Sequence, residues 1–407
     1  MPLRAALRLA FSAAVPVLLA GCDPVSDLTV PTPLPVDPPA SAGAALPHVA
    51  GTGSGAILSW VEPADSGHAL RFSQWNGERW SEPRNVASGG NWFVNWADFP
   101  SVIALDDRNL AAHWLQRSGP GTYAYDVLVS RSPDGGATWS VPVRPHSDAT
   151  ETEHGFVSLF PGPDGAVGAA WLDGRKYAPS GDAPATNEMT VRFAWLAGDG
   201  VQQEAVLDER ACDCCQTDVA LTAAGPLIVY RDRSPAEVRD IAVTRLVNGS
   251  WSAPRPVHED GWQIDACPVN GPQADARGSA VAVAWFTAAR DTPRVQVAFS
   301  DDGGETFDAP VRVDGGNPVG RVDLVLLDDR RALIVWLERA AEGADVRGRI
   351  VARDGRAGEP AVLARTAAQR PSGFPRMARY DGGVLLAWTE PGTLSRVRAA
   401  ALDVRSR

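Results

Sequence analysis

The sequence predicts an all-β fold, a β-propeller of four-stranded antiparallel blades, with seven blades as the first reading and six as the alternative. Three observations carry this. Seven short apolar runs each follow a turn and end on an aromatic, at Trp60, Trp114, Trp171, Tyr230, Trp285, Trp336 and Trp388. Successive spacings are 54, 57, 59, 55, 51 and 52 residues, and a period near fifty built from short strands is the pattern of units that bury their apolar faces only against neighbours. Turn-forming Gly, Asp and Asn recur between the runs, and no long stretch carries a helical period.

In chain order, residues 1–21 form a signal peptide, with Arg4 and Arg8 ahead of an apolar run and small residues before Cys22. Leu19-Ala20-Gly21-Cys22 resembles the bacterial lipobox, whose cysteine is lipidated and becomes the mature N-terminus. Residues 22–46, rich in Pro, Ala and Ser, read as an extended tether, and residues 47–407 as the propeller. Each blade opens with a strand such as "FPSVIAL", followed by the aromatic-ending run. A third strand ("HALRFSQW", "AYDVLVSRS", "RVQVAFS") and a fourth ("WSEPRNVA", "FDAPVRV") complete it. The seventh unit stops after three strands, which would leave an open sheet edge. A strand from residues 26–34, "SDLTVPTPL", is expected to close the ring despite its prolines.

Two turns carry a sharper pattern. Ser132-x-Asp134-x-Gly136-x-Thr138-Trp139 and Ser300-x-Asp302-x-Gly304-x-Thr306-Phe307 resemble the Asp-box, the BNR repeat of the sialidase (neuraminidase) superfamily. Its logic is local: Ser and Asp side chains bind turn amides, Gly supplies positive φ, and the aromatic covers the sheet edge. The box residues Ser132, Asp134, Gly136, Trp139, Ser300, Asp302, Gly304 and Phe307 are therefore expected to be structural. "FSQWNGERW" and "LVNGSW" resemble worn copies. For activity, the resemblance implies three arginines on a substrate carboxylate, a Tyr–Glu nucleophile pair and an aspartic acid/base. "GRVDLVLLDDRRALIVWLER" is similar to the strand pair bearing the first arginine, which nominates Arg321 and Arg339; "WLDGR" adds Asp173 and Arg175. None of Tyr123, Tyr125, Tyr177, Tyr230 and Tyr380 lies in a recognisable nucleophile context, so pairing of these arginines with nearby acids is the competing expectation.

The repeat also gives the cysteines an address. Eighteen residues before each aromatic the chain comes into a blade, and that offset selects Cys212 and Cys267 in consecutive blades, with Trp96, Glu153 and Arg370 in others. Asp98, His154, Asp213, Cys214 and Cys215 lie beside them, so polar, aromatic and thiol groups converge on one mouth. Three readings stay open. An extracytoplasmic compartment favours disulfides, with Cys212 or Cys214 joined to Cys267 across a blade junction. Cys212, Cys214 or Cys215, Cys267 and His154 form a soft ligand set for Cu or Zn. Cys212 and Cys215 have the C-x-x-C spacing of redox centres.

The formal net charge of −11, a single lysine (Lys176) and the absence of a basic run disfavour nucleic acid as a partner. The sequence thus describes a lipid-anchored, extracytoplasmic propeller of the cell envelope that binds a glycan, a small ligand or a periplasmic protein at a cysteine-rich mouth. The alternatives are an exo-α-sialidase-like glycoside hydrolase acting on acidic glycans and a periplasmic Cu/Zn-binding protein.

Overall fold

The computed structural model describes residues 28–179, 184–198 and 200–404; the signal peptide and Cys22 lie outside them. Seven antiparallel sheets follow one another along the chain, one per predicted unit. The second strand of each sheet is buried on both faces, which is why these runs are apolar throughout rather than alternating; all of Ala280–Thr287 is buried. The repeat aromatics occupy that strand, and Trp60, Trp171, Trp285 and Trp336 are completely buried. Each indole N–H needs a partner there. Trp60, Trp171 and Trp336 donate to the carboxylate two residues on, Glu62 (2.8 Å), Asp173 (2.9 Å) and Glu338 (2.5 Å). Tyr230, in the same register, donates to Asp208 at 2.5 Å.

Apolar clusters lie between blades rather than in one centre. Phe299 of blade five packs with Val322 and Trp336 of blade six, and Leu363 of blade six with Leu386 of blade seven. At the axis the inner strands belong to separate sheets, and carboxylates bridge the gaps between them. Asp98 accepts the Phe156 amide (2.8 Å), Asp218 that of Ala274 (2.7 Å), Asp275 that of Leu326 (2.8 Å) and Asp323 that of Met377 (2.6 Å). Each bond runs from one blade to the next and satisfies a buried amide that no strand pairs.

Two blades depart from four regular strands. Blade two has three, Ser101–Ala104, Leu110–Arg117 and Tyr125–Ser132, and its fourth is reduced to a bridge between Val129 and Val143. Blade four divides its outer edge between Ser250–Trp251 and Arg255–His258.

The ring closes through the N-terminal segment, in a different place from the one expected. The closing strand is Leu34–Pro35, paired with Ala401 and Ala400, rather than residues 26–34. Pro31 and Pro33 have no N–H to give, so the ladder starts late and is only two residues long. Val36 extends it by donating to Ala399 O at 2.9 Å. Leu28 and Val30 are buried between blades six and seven. Residues 28–46, read from their composition as part of a tether, therefore belong to the propeller, and the first inner strand begins at Ala45.

In the turns that resemble Asp-boxes, Ser132 Oγ donates to Asp134 (2.8 Å) and accepts from Gly136 N (2.7 Å), while Asp134 accepts from Thr138 N (2.8 Å) and Oγ1 (2.7 Å). Ser300, Asp302, Gly304 and Thr306 repeat the pattern. The Thr138 bonds hold Asp134 near pKa 2, and Thr306 and Ser300 do the same for Asp302 against the opposing effect of burial. Glycine is needed for a second reason besides its φ of 86° and 77°. A Cβ on Gly136 would strike Phe72 of blade one, and one on Gly304 would strike Leu227 of blade four. Both turns thus lock onto the preceding blade.

Candidate functional site

At one end of the channel three inner strands carry a non-glycine residue in the left-handed region: Leu46 (φ 59°), Phe156 (φ 53°) and Arg321 (φ 54°). Each lies where the pairing with its second strand shifts register. Such residues cost on the order of 1 kcal/mol or more and persist where neighbours fix them. Here a side chain of the preceding blade accepts each amide: Thr389 for Leu46 (3.3 Å), Asp98 for Phe156 (2.8 Å) and Asn270 for Arg321 (2.7 Å).

A cavity of about 690 Å3 opens at this mouth, lined by Trp96, Asp98, Tyr125, Glu153, Asp213 and Arg370 together with other residues of blades two to five. Its floor is a three-residue hydrogen-bonded unit. The Tyr125 hydroxyl lies 2.8 Å from Asp98 Oδ2 and 2.8 Å from Glu153 Oε1. A phenol has one proton to give, so the second contact requires a protonated carboxyl donating to the phenol oxygen. Burial supplies that proton. It raises Asp98 to about 7, against the bonds from Tyr125 and Phe156, and raises Glu153 to about 8, helped by the charges of Asp98 and Asp213. Asp98 is buried, whereas Glu153 remains partly exposed to the cavity. Phe93 stacks on Tyr125 at 3.9 Å, and Gly155 leaves room for the unit, since a Cβ there would sit 1.9 Å from Asp98 Oδ2.

The opposite flank is basic. Arg321 donates to Gln369 O (3.1 Å), Ser372 Oγ (2.7 Å) and Gly373 O (3.0 Å), and lies 4.6 Å from the Trp96 ring centroid. It forms no salt bridge with any described residue. Burial, with the charges of Arg339 and Arg370, lowers its pKa to about 10, so it stays cationic at neutral pH. Arg370 also approaches Trp96, at 5.9 Å, and lines the cavity.

The residues singled out in the sequence are therefore divided. Arg321 and Arg339 share one flank, with Arg339 exposed at a strand end. Arg175 and Asp173 do not join them: Arg175 binds Asp173 (2.7 Å), Glu204 (2.6 Å) and Asp148 (3.2 Å) in a saturated ion-pair network on blade three. The cysteines pair as Cys214–Cys267 across blades four and five and Cys212–Cys215 within blade four. Cys214 and Cys267 line the mouth cavity, while Cys212 and Cys215 are buried beneath it. With every one of these sulfurs in a disulfide, no thiolate is left for the Cu or Zn site. His154, the one imidazole of that set, turns away to Asp148 (3.2 Å) and the Tyr125 carbonyl (3.2 Å). A second cavity, of about 620 Å3, lies along the inner strands. Its Asp218 and Asp323 are engaged by backbone amides and its Arg376 by Gln273, which makes it scaffold.

Sequence reasoning missed Tyr125, and with it the reason Glu153 matters. The available signal was positional: Tyr125 opens a third strand that meets Glu153 in an isolated parallel bridge.

No protein-family model matches the sequence, and no curated protein matches it. Solved structures do. A protein of unknown function from Dyadobacter fermentans is similar with a TM-score of 0.52 at 16% identity, covering 93% of this chain and 100% of that one. The Fusarium graminearum GH93 α-L-arabinofuranosidase is similar with a TM-score of 0.51 at 12% identity, covering 77% and 95%. The Penicillium chrysogenum α-L-arabinanase is similar with a TM-score of 0.50 at 12% identity, covering 93% and 99%. The chain folds as a seven-bladed β-propeller. At these identities the likeness concerns the fold alone.

Proposed function

We propose that the mouth of this sialidase-like propeller binds a saccharide and hydrolyses a glycosidic bond, with Glu153 as the proton donor. The observation that carries this is a cavity-facing carboxyl raised to about pKa 8 and bonded to a buried Tyr–Asp pair. A glycosidase acid must hold its proton near neutral pH, and burial beside a second carboxylate is how that is arranged. Asp213, paired with Arg233 at 3.0 Å, is another carboxylate lining the cavity, and its charge helps keep Glu153 protonated. Trp96, Tyr123 and Tyr177 offer flat faces for sugar rings, and a volume of about 690 Å3 suits one to a few sugar units. Arg370 and Arg321 on the far flank favour an acidic sugar. The similar solved structures include an arabinofuranosidase and an arabinanase, which agrees with a saccharide.

The test is a panel of chromogenic sialosides, uronides and arabinofuranosides. Turnover by the native chain, lost in Glu153→Gln with oligosaccharide binding retained, supports the proposal. Binding without turnover by the native chain reduces the mouth to a binding module. Neither binding nor turnover across the panel overturns the saccharide reading. From the lipobox-like Leu19-Ala20-Gly21-Cys22 we propose separately that the mature protein is held in the cell envelope through a lipidated Cys22; labelled palmitate should enter the native chain and not Cys22→Ser.

A further inference from the structure

Directly behind the Tyr125–Glu153 pair lies a buried group that the saccharide reading does not use. Successive strand residues face opposite ways. Asp126 and His154, which follow Tyr125 and Glu153, therefore point away from the cavity and meet His146 from the link between blades two and three. The His146 and His154 rings stack at 3.9 Å. Asp148 holds the outer nitrogen of each, His146 Nδ1 at 3.2 Å and His154 Nε2 at 3.2 Å. Asp148 is itself fixed by the Thr150 hydroxyl (2.5 Å) and Arg175 (3.2 Å).

The inner nitrogens both face one carboxylate oxygen. His146 Nε2 lies 3.7 Å and His154 Nδ1 3.8 Å from Asp126 Oδ1, too far for hydrogen bonds. His146 Nε2 and Asp126 Oδ1 have no hydrogen-bond partner, although His146 is 4% and Asp126 9% exposed; Arg144 holds the other oxygen, Asp126 Oδ2, at 3.1 Å. Leaving buried polar atoms unpaired costs on the order of 1–3 kcal/mol each. A proton on His154 would serve Asp148 and the Tyr125 carbonyl, yet would still leave these two atoms facing each other empty-handed. A cation between them would engage both, and would take the place of the proton that His154 Nδ1 otherwise gives the Tyr125 carbonyl.

We propose that Asp126, His146 and His154 form a buried site for a divalent transition-metal ion, Zn2+ by its donor set. Two imidazoles and one carboxylate suit Zn2+, and a carboxylate behind the ligating histidines is the usual outer support of such sites. Bonds of about 2.0–2.2 Å bring tetrahedral ligand atoms to about 3.3 Å from one another, so the two imidazoles, now parallel to within 4°, must rotate out of their stack for their lone pairs to meet on the ion. Its position makes it a clamp. It ties together the backs of the two strands whose fronts present Tyr125 and Glu153. The site stands on its own contacts and does not depend on the saccharide reading.

The experiment is a calorimetric Zn2+ titration of the mature, fully oxidised chain after chelation and dialysis. One ion per chain is expected, bound at least about tenfold more weakly by Asp126→Asn and by His146→Gln and unchanged in His258→Gln, an exposed histidine elsewhere. Equal affinity in the native chain and His146→Gln overturns the proposal. Co2+ supplies a readout that needs no variant: visible d–d bands without thiolate charge transfer are expected, and a charge-transfer band would put the ion on the cysteines and overturn the assignment. The melting temperature of the native chain should rise with saturating Zn2+; no rise overturns the site as well.

Discussion

Blade three and the blade six–seven side treat their arginines in opposite ways. On blade three, Arg175 and Arg192 share Asp173 and Glu204, and the charges cancel locally. On blades six and seven, Arg321 is held by carbonyls, a hydroxyl and aromatic faces, with two more arginines close enough to lower its pKa. The first arrangement is complete without a ligand. The second leaves Arg321 without a counter-charge among the described residues, beside Arg370 at the cavity wall. Two arginines that look alike as letters thus divide into scaffold and candidate site by what surrounds them.

The sharpest way to break this contrast is to remove each arginine in turn. Arg175→Gln leaves Asp173, whose side chain is fully buried, without its main counter-charge and should cost about 4 kcal/mol in urea unfolding. A loss below about 1 kcal/mol would mean that the network is not the scaffold described. Gly155→Ala attacks the acidic flank by sterics and should cost about 3 kcal/mol, because its Cβ drives Asp98 off Tyr125. Tryptophan emission against urea reads both.

The pH dependence tests the same flank without a mutation. Asp98 and Glu153 are raised in the folded chain to about 7 and 8, so the folded state binds more protons than the unfolded one. Their contribution is fully present below pH 4 and is lost as pH rises through 7 and 8. Stability at pH 8.5 should fall on the order of 2 kcal/mol below that at pH 5.5, a difference that Glu153→Gln should shrink. The smallest effect is expected at Arg321→Gln, about 1 kcal/mol, since lost hydrogen bonds are offset by relief of burial and of repulsion from Arg339 and Arg370. Its signature is in binding instead: an acidic sugar should bind at least about tenfold more weakly, while a neutral one should not.

Much of the fold was legible because a propeller turns sequence period into position. An aromatic at one offset located the second strand of every blade, and counting back from it placed Trp96, Glu153, Arg370 and Cys267 at the rim of a common cavity, with Cys212 buried beneath it. The turn chemistry of Ser132 and Asp134 was legible because all its bonds lie within a few residues. The Tyr125 unit was not, since Asp98 and Glu153 reach it from 27 and 28 residues away along different strands. The left-handed backbone at Phe156 and Arg321 was hidden because each is fixed by a neighbouring blade rather than by its own residue type. His154 sits next to Glu153 in sequence, and only the pleat says that it faces the other way.

The two-residue clasp that closes the ring has a consequence for how the chain reaches its native state. Leu34 pairs with Ala401, Asp37 with Arg398, and Leu46 with Thr389, so these contacts link positions 361, 367 or 343 residues apart. Blades one to six can form from contacts within about sixty residues as the chain emerges, which is fast and local. The last junction must wait for the C-terminal strand Arg396–Leu402. Until then Leu28 and Val30 have no blade seven to cover, and two sheet edges stay bare. Chain closure is thus the slow and vulnerable step, and a truncation of the last ten residues should trap an open, association-prone arc instead of a slightly smaller propeller.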